Sequence, residues 1–126
     1  MHIVARYLKA LSVFDWETAR GFLAEDVRRV GPFGDSYTGR TAYLDFLQKL
    51  MPTLDGYRMD LGRVIVGDDG QTAVAELSET VEIDGRTVVT PESLVFDLDQ
   101  SGLIVGLRIY IQSEQPDPGK LGSVRD

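Results

Sequence analysis

The stretch that most constrains this chain is ETVEIDGRTVVTPES, Glu79 to Ser93. Two runs that alternate β-branched with polar residues flank Asp84-Gly85. A two-residue Asp-Gly loop between such runs is the strongest short-range signal of a β-hairpin. The loop sets the register. Ile83 falls opposite Arg86, Val81 opposite Val88, Glu79 opposite Thr90 and Leu77 opposite Glu92. Side chains alternate along a strand, so one face carries Ala75, Leu77, Glu79, Val81, Val88, Thr90, Glu92, Leu94 and Phe96. That face is the more apolar and is expected to meet the core. Yet it holds two carboxylates, Glu79 and Glu92, as diagonal neighbours within reach of one another.

Two arrangements are open. The glutamates can sit at the rim of the sheet or pair with Arg29 or Arg58. Alternatively they face an apolar pocket. Burial and like charge would then raise at least one pKa, with Glu79 the expected one, and suit the pair to general acid-base work. Pro91 cannot donate to a ladder and marks a bulge or an edge. A bulge there would turn Glu92 outward.

The two-residue period runs through the whole C-terminal half. Residues 57–66, 72–83, 86–98 and 103–112 read as strands, separated by GDDG, DG and DQSG. Upstream the period is helical. Ile3, Tyr7, Ala10, Leu11 and Phe14 share one stripe. Asp15 can cap a second helix that buries Ala19, Phe22 and Leu23. DVRRVG reads as a short strand ended by Gly31-Pro32, and PFGDSYTG as a loop. A third helix starts near Arg40 and stops at Pro52. The order helix, helix, strand, helix, four strands is α+β, an antiparallel sheet with helices on one side. Residues 1–113 form a single domain. Residues 114–126 are a polar tail with little to bury.

Composition removes several chemistries. The 126 residues include no cysteine and one histidine, His2, beside the start of the chain. Thiolate chemistry, histidine triads and histidine or cysteine metal sites are therefore not expected, and no metal or cofactor is implied. The net charge is −7 with no basic cluster, which argues against nucleic acid. No apolar run is long enough for a membrane span or a signal peptide, so a cytoplasmic location is expected. DLDQSG imitates a calcium loop, but its twelfth position is Arg108 rather than glutamate.

The fragments RYLKAL, DWETARGFLAEDV, GPFG, YTGR and VFDLDQSGLIVGLRIY resemble, in order and spacing, the nuclear transport factor 2-like superfamily. That superfamily includes ketosteroid isomerase and the SnoaL-like polyketide cyclases. The resemblance implies a cone-shaped, curved antiparallel sheet wrapped around three N-terminal helices, an apolar pocket, and a homodimer. Tyr7 matches the tyrosine that in ketosteroid isomerase donates to the substrate oxyanion. The base aspartate of that enzyme falls at Gly31 and its second donor at Leu94, so ketosteroid isomerase activity is not expected. The Asp-Arg-Asp set of limonene epoxide hydrolase falls near Leu77, Glu79 and Ile109 and is also missing. Pocket-facing family positions fall on Leu77, Glu79, Val81, Glu92, Leu107, Ile109 and Ile111, with Arg29 on the inward side of the first strand.

The expected site thus has Tyr7, Glu79, Glu92 and Arg29 as its chemical groups. Phe33, Leu77, Val81, Leu94, Leu107, Ile109 and Ile111 are its lining. The expected partners are a small apolar organic molecule and a second copy of the chain. The expected function is an acid-base enzyme of isomerase, cyclase, dehydratase or epoxide hydrolase type. The alternative is a non-catalytic ligand-binding or dimerisation module of the same fold.

Overall fold

A computed structural model describes residues 1–113; the expected tail, residues 114–126, lies outside the described residues. Helices α1 (Ile3–Ser12) and α2 (Trp16–Arg20) lead into strand β1 (Leu23–Val30) and the short β2 (Ser36–Thr38). Helix α3 (Arg40–Leu50) ends in a 3₁₀ turn, Met51–Thr53. The long strands β3 (Arg58–Val66), β4 (Thr72–Ile83), β5 (Arg86–Leu98) and β6 (Ile104–Ile111) follow. One curved six-stranded sheet results, in the order β2-β1-β6-β5-β4-β3. Among the described residues no helix is long and apolar enough to cross a membrane.

Local chemistry explains most of the boundaries. The Asp15 side chain accepts from Thr18 N at 3.2 Å and caps α2. Pro52 lies in the turn that ends α3, where it can no longer clash with a preceding helical carbonyl. Asp84 (φ 51°) and Gly85 (φ 75°) both adopt the left-handed conformation a tight hairpin turn requires. The pairing of β4 with β5 then runs unbroken from Ile83–Arg86 to Thr72–Asp97, in the register expected from the sequence.

Pro91 produces no bulge. It pairs with Ser78, and its carbonyl accepts from Gln112 N at 2.9 Å. In an antiparallel ladder a residue's N–H and C=O point to the same neighbour. The missing N–H therefore faces the very end of β6, where the ladder stops at Ile111–Glu92.

Three expectations need correction. Ser36–Thr38, read as part of a loop, forms strand β2 against β1. The sheet is not wholly antiparallel, because β1 and β6 run parallel. Phe22 and Leu23 also do not belong to α2. Leu23 already pairs with Ile104, and Ile104 N donates to the Phe22 carbonyl at 2.9 Å. A ladder to a strand about eighty residues away overrides the local helical spacing.

The core lies between the inner face of the sheet and the helices. Tyr7, Leu8 and Leu11 of α1 and Tyr43, Leu44 and Leu47 of α3 pack on Ala75, Leu77, Leu94, Phe96 and Leu107. The Tyr7 ring meets Phe96 edge-on at 6.1 Å. This layer positions the site.

Candidate functional site

The hairpin register puts both glutamates on the inner face. Glu92 is buried at 9% exposure and Glu79 is half-buried. Their side chains lie within hydrogen-bonding reach of one another. Two carboxyl groups can share a hydrogen bond only across a proton. Burial, then the bond to Glu79 and its like charge, push the Glu92 carboxyl up to about 9, while Arg29 pulls the other way. The expectation gave Glu79 the larger shift. Glu92 takes it instead, because it is the more deeply buried of the two, although both lie on strands paired on either side. The Tyr57 hydroxyl donates to Glu79 Oε2 at 2.5 Å. Burial and the adjacent glutamates hold the Tyr57 phenol well above its usual range, so it remains a donor. Glu92 therefore keeps its proton at neutral pH.

Neither arginine pairs with Glu79 or Glu92. Arg58 Nε donates to Asp60 Oδ2 at 2.9 Å on the surface. Arg29 points inward from β1, like Val27 two residues before it, and Nη1 donates to Asp35 Oδ2 at 2.6 Å. That contact holds the Asp35 carboxyl below its ordinary range. The Arg29 guanidinium also lies over Phe46 at 5.1 Å and Tyr37 at 5.9 Å.

Tyr7 and Tyr43 are fully enclosed, and their hydroxyls meet at 2.8 Å. Burial pushes the Tyr43 phenol up to about 12 and holds Tyr7 well above its ordinary value. Both remain protonated. One hydrogen serves the bond between them, which leaves the other free to donate.

These groups surround a two-part cavity. An inner chamber of about 140 Å³ is walled by Tyr7, Tyr43, Leu77, Leu94 and Leu107. An outer chamber of about 250 Å³ is walled by Val81, Thr90, Ile111 and Pro32. Arg29, Tyr57, Glu79, Glu92 and Ile109 line both and mark the neck between them. A wider hollow of about 510 Å³ lies on the outer face along Glu76, Ser78, Ser93 and Tyr110. Those four side chains are half-buried or exposed; the hollow also reaches Leu77 and Glu92, which belong to the inner face.

The structure therefore brings Tyr7, Glu79, Glu92 and Arg29 to one cavity, with Leu77, Leu94, Leu107 and Ile109 in the inner part and Val81 and Ile111 in the outer. Phe33 is a correction: it is 85% exposed and lines neither chamber. Gly31 N donates to the Asp35 carbonyl at 2.7 Å and Gly34 adopts φ 81°, closing a turn that carries Phe33 outside. Pro32 lines the cavity in its place.

Three contributors escaped the sequence reading. Tyr43 lies on α3, where helical spacing gives it no mark beyond that of its buried neighbours Leu44 and Leu47. Tyr57 precedes β3, whose register against β4 shifts between Leu61 and Val64 and has no two-residue turn to set it. Asp35 sits in a loop whose path depends on Arg29.

The profile of the SnoaL-like domain family matches residues 4–107. Among curated proteins no relative matches the sequence. The fold is similar to that of a candidate polyketide cyclase from Xanthomonas campestris pv. campestris, at 30% identity and a TM-score of 0.72, covering 86% of each chain. It is also similar to SalBIII, an epoxide hydrolase/cyclase-like enzyme of pyran ring formation in the polyether salinomycin. There the identity is 21% and the TM-score 0.75, over 87% of this chain and 88% of that one. A candidate ketosteroid isomerase from Kribbella flavida DSM 17836 shares the fold at 23% identity and a TM-score of 0.75, over 94% of this chain and 82% of the other.

Proposed function

The chain belongs to the SnoaL-like domain family, and on that premise we propose that it is an enzyme that moves protons on a small, mostly apolar organic molecule. The observation that carries this reading is the pair Glu79–Glu92, within hydrogen-bonding reach of one another at the neck of the cavity. A charged carboxylate beside a protonated carboxyl is a base and an acid in one place. Glu79 takes a proton from the substrate. Glu92 gives one to a neighbouring atom, and the pair returns to its starting state. The free hydroxyl hydrogen of the Tyr7–Tyr43 pair donates to an oxygen that gains negative charge. Tyr57 fixes the Glu79 carboxylate in orientation.

Isomerisation, aldol-type cyclisation, dehydration and epoxide opening all use such a set. The structural neighbours carry names from the same range. The test is a panel of small ketones, β-keto esters and epoxides incubated with the protein in D₂O and followed by proton NMR. Proton transfer appears as deuterium uptake, cyclised product or diol. It should be lost in both Glu79→Gln and Glu92→Gln. A panel whose members bind without reacting would instead support a non-catalytic ligand-binding module.

A further inference from the structure

We propose that Asp35 is a positioning residue: reaching back across Gly31, it holds Arg29 so that the guanidinium Nε–H serves as the cavity's anchor for an acceptor oxygen of an uncharged ligand. The inference rests on the proposed function only in placing the ligand in the same cavity.

The first observation is an unmet donor. Arg29 is 7% exposed, and its Nε finds no hydrogen-bond partner among the described residues. Buried guanidinium donors are normally matched, so an unmatched one in a cavity wall points to what the cavity takes. Arg29 lines both chambers.

The second observation is how the side chain is held. Nη1 is taken by Asp35 and the guanidinium face rests on Phe46. The bridge to Asp35 passes directly over residue 31. A Cβ at that position would stand 2.5 Å from Asp35 Oδ1 and 2.6 Å from Arg29 Nη1. A side chain there would push one of the two groups out of this position, and the requirement is one of space rather than of backbone angle.

Charge and size narrow the ligand. Arg29 and Asp35 neutralise each other. The chain as a whole is at −7. An anion would enter against that field. An uncharged ketone, ether or alcohol would not, and its oxygen satisfies the Nε–H. The inner chamber, about 140 Å³, is close to the roughly 150 Å³ of an engineered apolar cavity that holds benzene. A six-membered ring bearing one oxygen fits.

The experiment follows the arginine Nε–Hε resonances in nitrogen-proton NMR spectra while cyclohexanone is added. One resonance, assigned to Arg29 by its loss in Arg29→Lys, should move with cyclohexanone. Methylcyclohexane should perturb the methyls of Leu77 and Leu94 but not that resonance. Cyclohexanecarboxylate should bind at least tenfold more weakly than the ketone. Asp35→Asn should weaken cyclohexanone about tenfold, Gly31→Ala should do the same, and Asp35→Glu should recover part of the loss. If the ketone shifts the chamber methyls and leaves the Arg29 resonance still, the proposal is wrong. It is equally wrong if Asp35→Asn binds the ketone as the parent does. Should the Asp35 variants not fold, the comparison of ketone with hydrocarbon on the parent protein decides. Glu79→Gln should keep the Arg29 response. That response without any turnover in the panel would overturn the acid-base reading alone.

Discussion

At pH 8 Glu92 holds a proton in the folded chain that the unfolded chain has released. Its folded pKa is raised from 4.5 to about 9. Between those values the folded state binds more protons than the unfolded one, so stability falls as pH rises through this window. Above the folded value the loss is complete and the curve is flat. At pH 8 the proton is held about 3.5 pH units beyond its ordinary release. At about 1.4 kcal/mol per unit that sets a ceiling on the order of 5 kcal/mol. Glu79 shares the proton, so the titration belongs to the pair and spreads over a wider range. We therefore expect about 2–3 kcal/mol. Glu92→Gln removes the titration and keeps a donor for Glu79. Relative to the parent protein, the variant should gain little at pH 5 and about 2–3 kcal/mol by pH 8.5. Asp35 and Asp99, whose carboxyls are held below their usual range, are ionised throughout and add no slope there. The assay is urea unfolding of both proteins at half-unit steps from pH 5 to 9, at fixed ionic strength. Parallel curves across the whole range would refute the buried shared proton and the acid-base argument built on it.

Glu79→Gln removes the like charge but not the burial, so carboxyl NMR should show the Glu92 midpoint moving down from about 9 yet staying above 4.5; a midpoint that does not move would mean the two groups do not interact. Tyr57→Phe deletes the bond to Glu79 Oε2 and should cost about 1–3 kcal/mol in urea unfolding, with any turnover reduced more than ligand binding. The outer face of the sheet exposes Ile65, Val89 and Tyr110 by about half each (47%, 55% and 56%), and we expect a homodimer built there. Light scattering at high micromolar concentration should give twice the 14.0 kDa chain mass, and Val89→Lys with Tyr110→Lys should return it to one.

Asp84-Gly85 carries its own instruction. Two residues that tolerate positive φ between two alternating runs leave one register open, and that register alone sets Glu79 and Glu92 diagonally on the apolar face. The strands, the caps and the α+β class were legible for the same reason: each depends on residues within a few positions of one another. What the alternation could not say is which strand lies beside which. The parallel pairing of β1 with β6 joins residues far apart in the chain, and it both converts Leu23 from helix to strand and turns Arg29 inward. Phe33 is expected in the pocket lining, but the turn closed between Gly31 and Asp35 sends it to solvent. The partners of the charged groups were the least legible of all. Glu79 meets Tyr57 across a ladder whose register slips, and Arg29 meets Asp35 directly over residue 31, where a side chain would displace one of them. Hydrogen-bond partners within a buried site are chosen by distances of a few tenths of an ångström, and those arise only when helices and sheet have closed on one another.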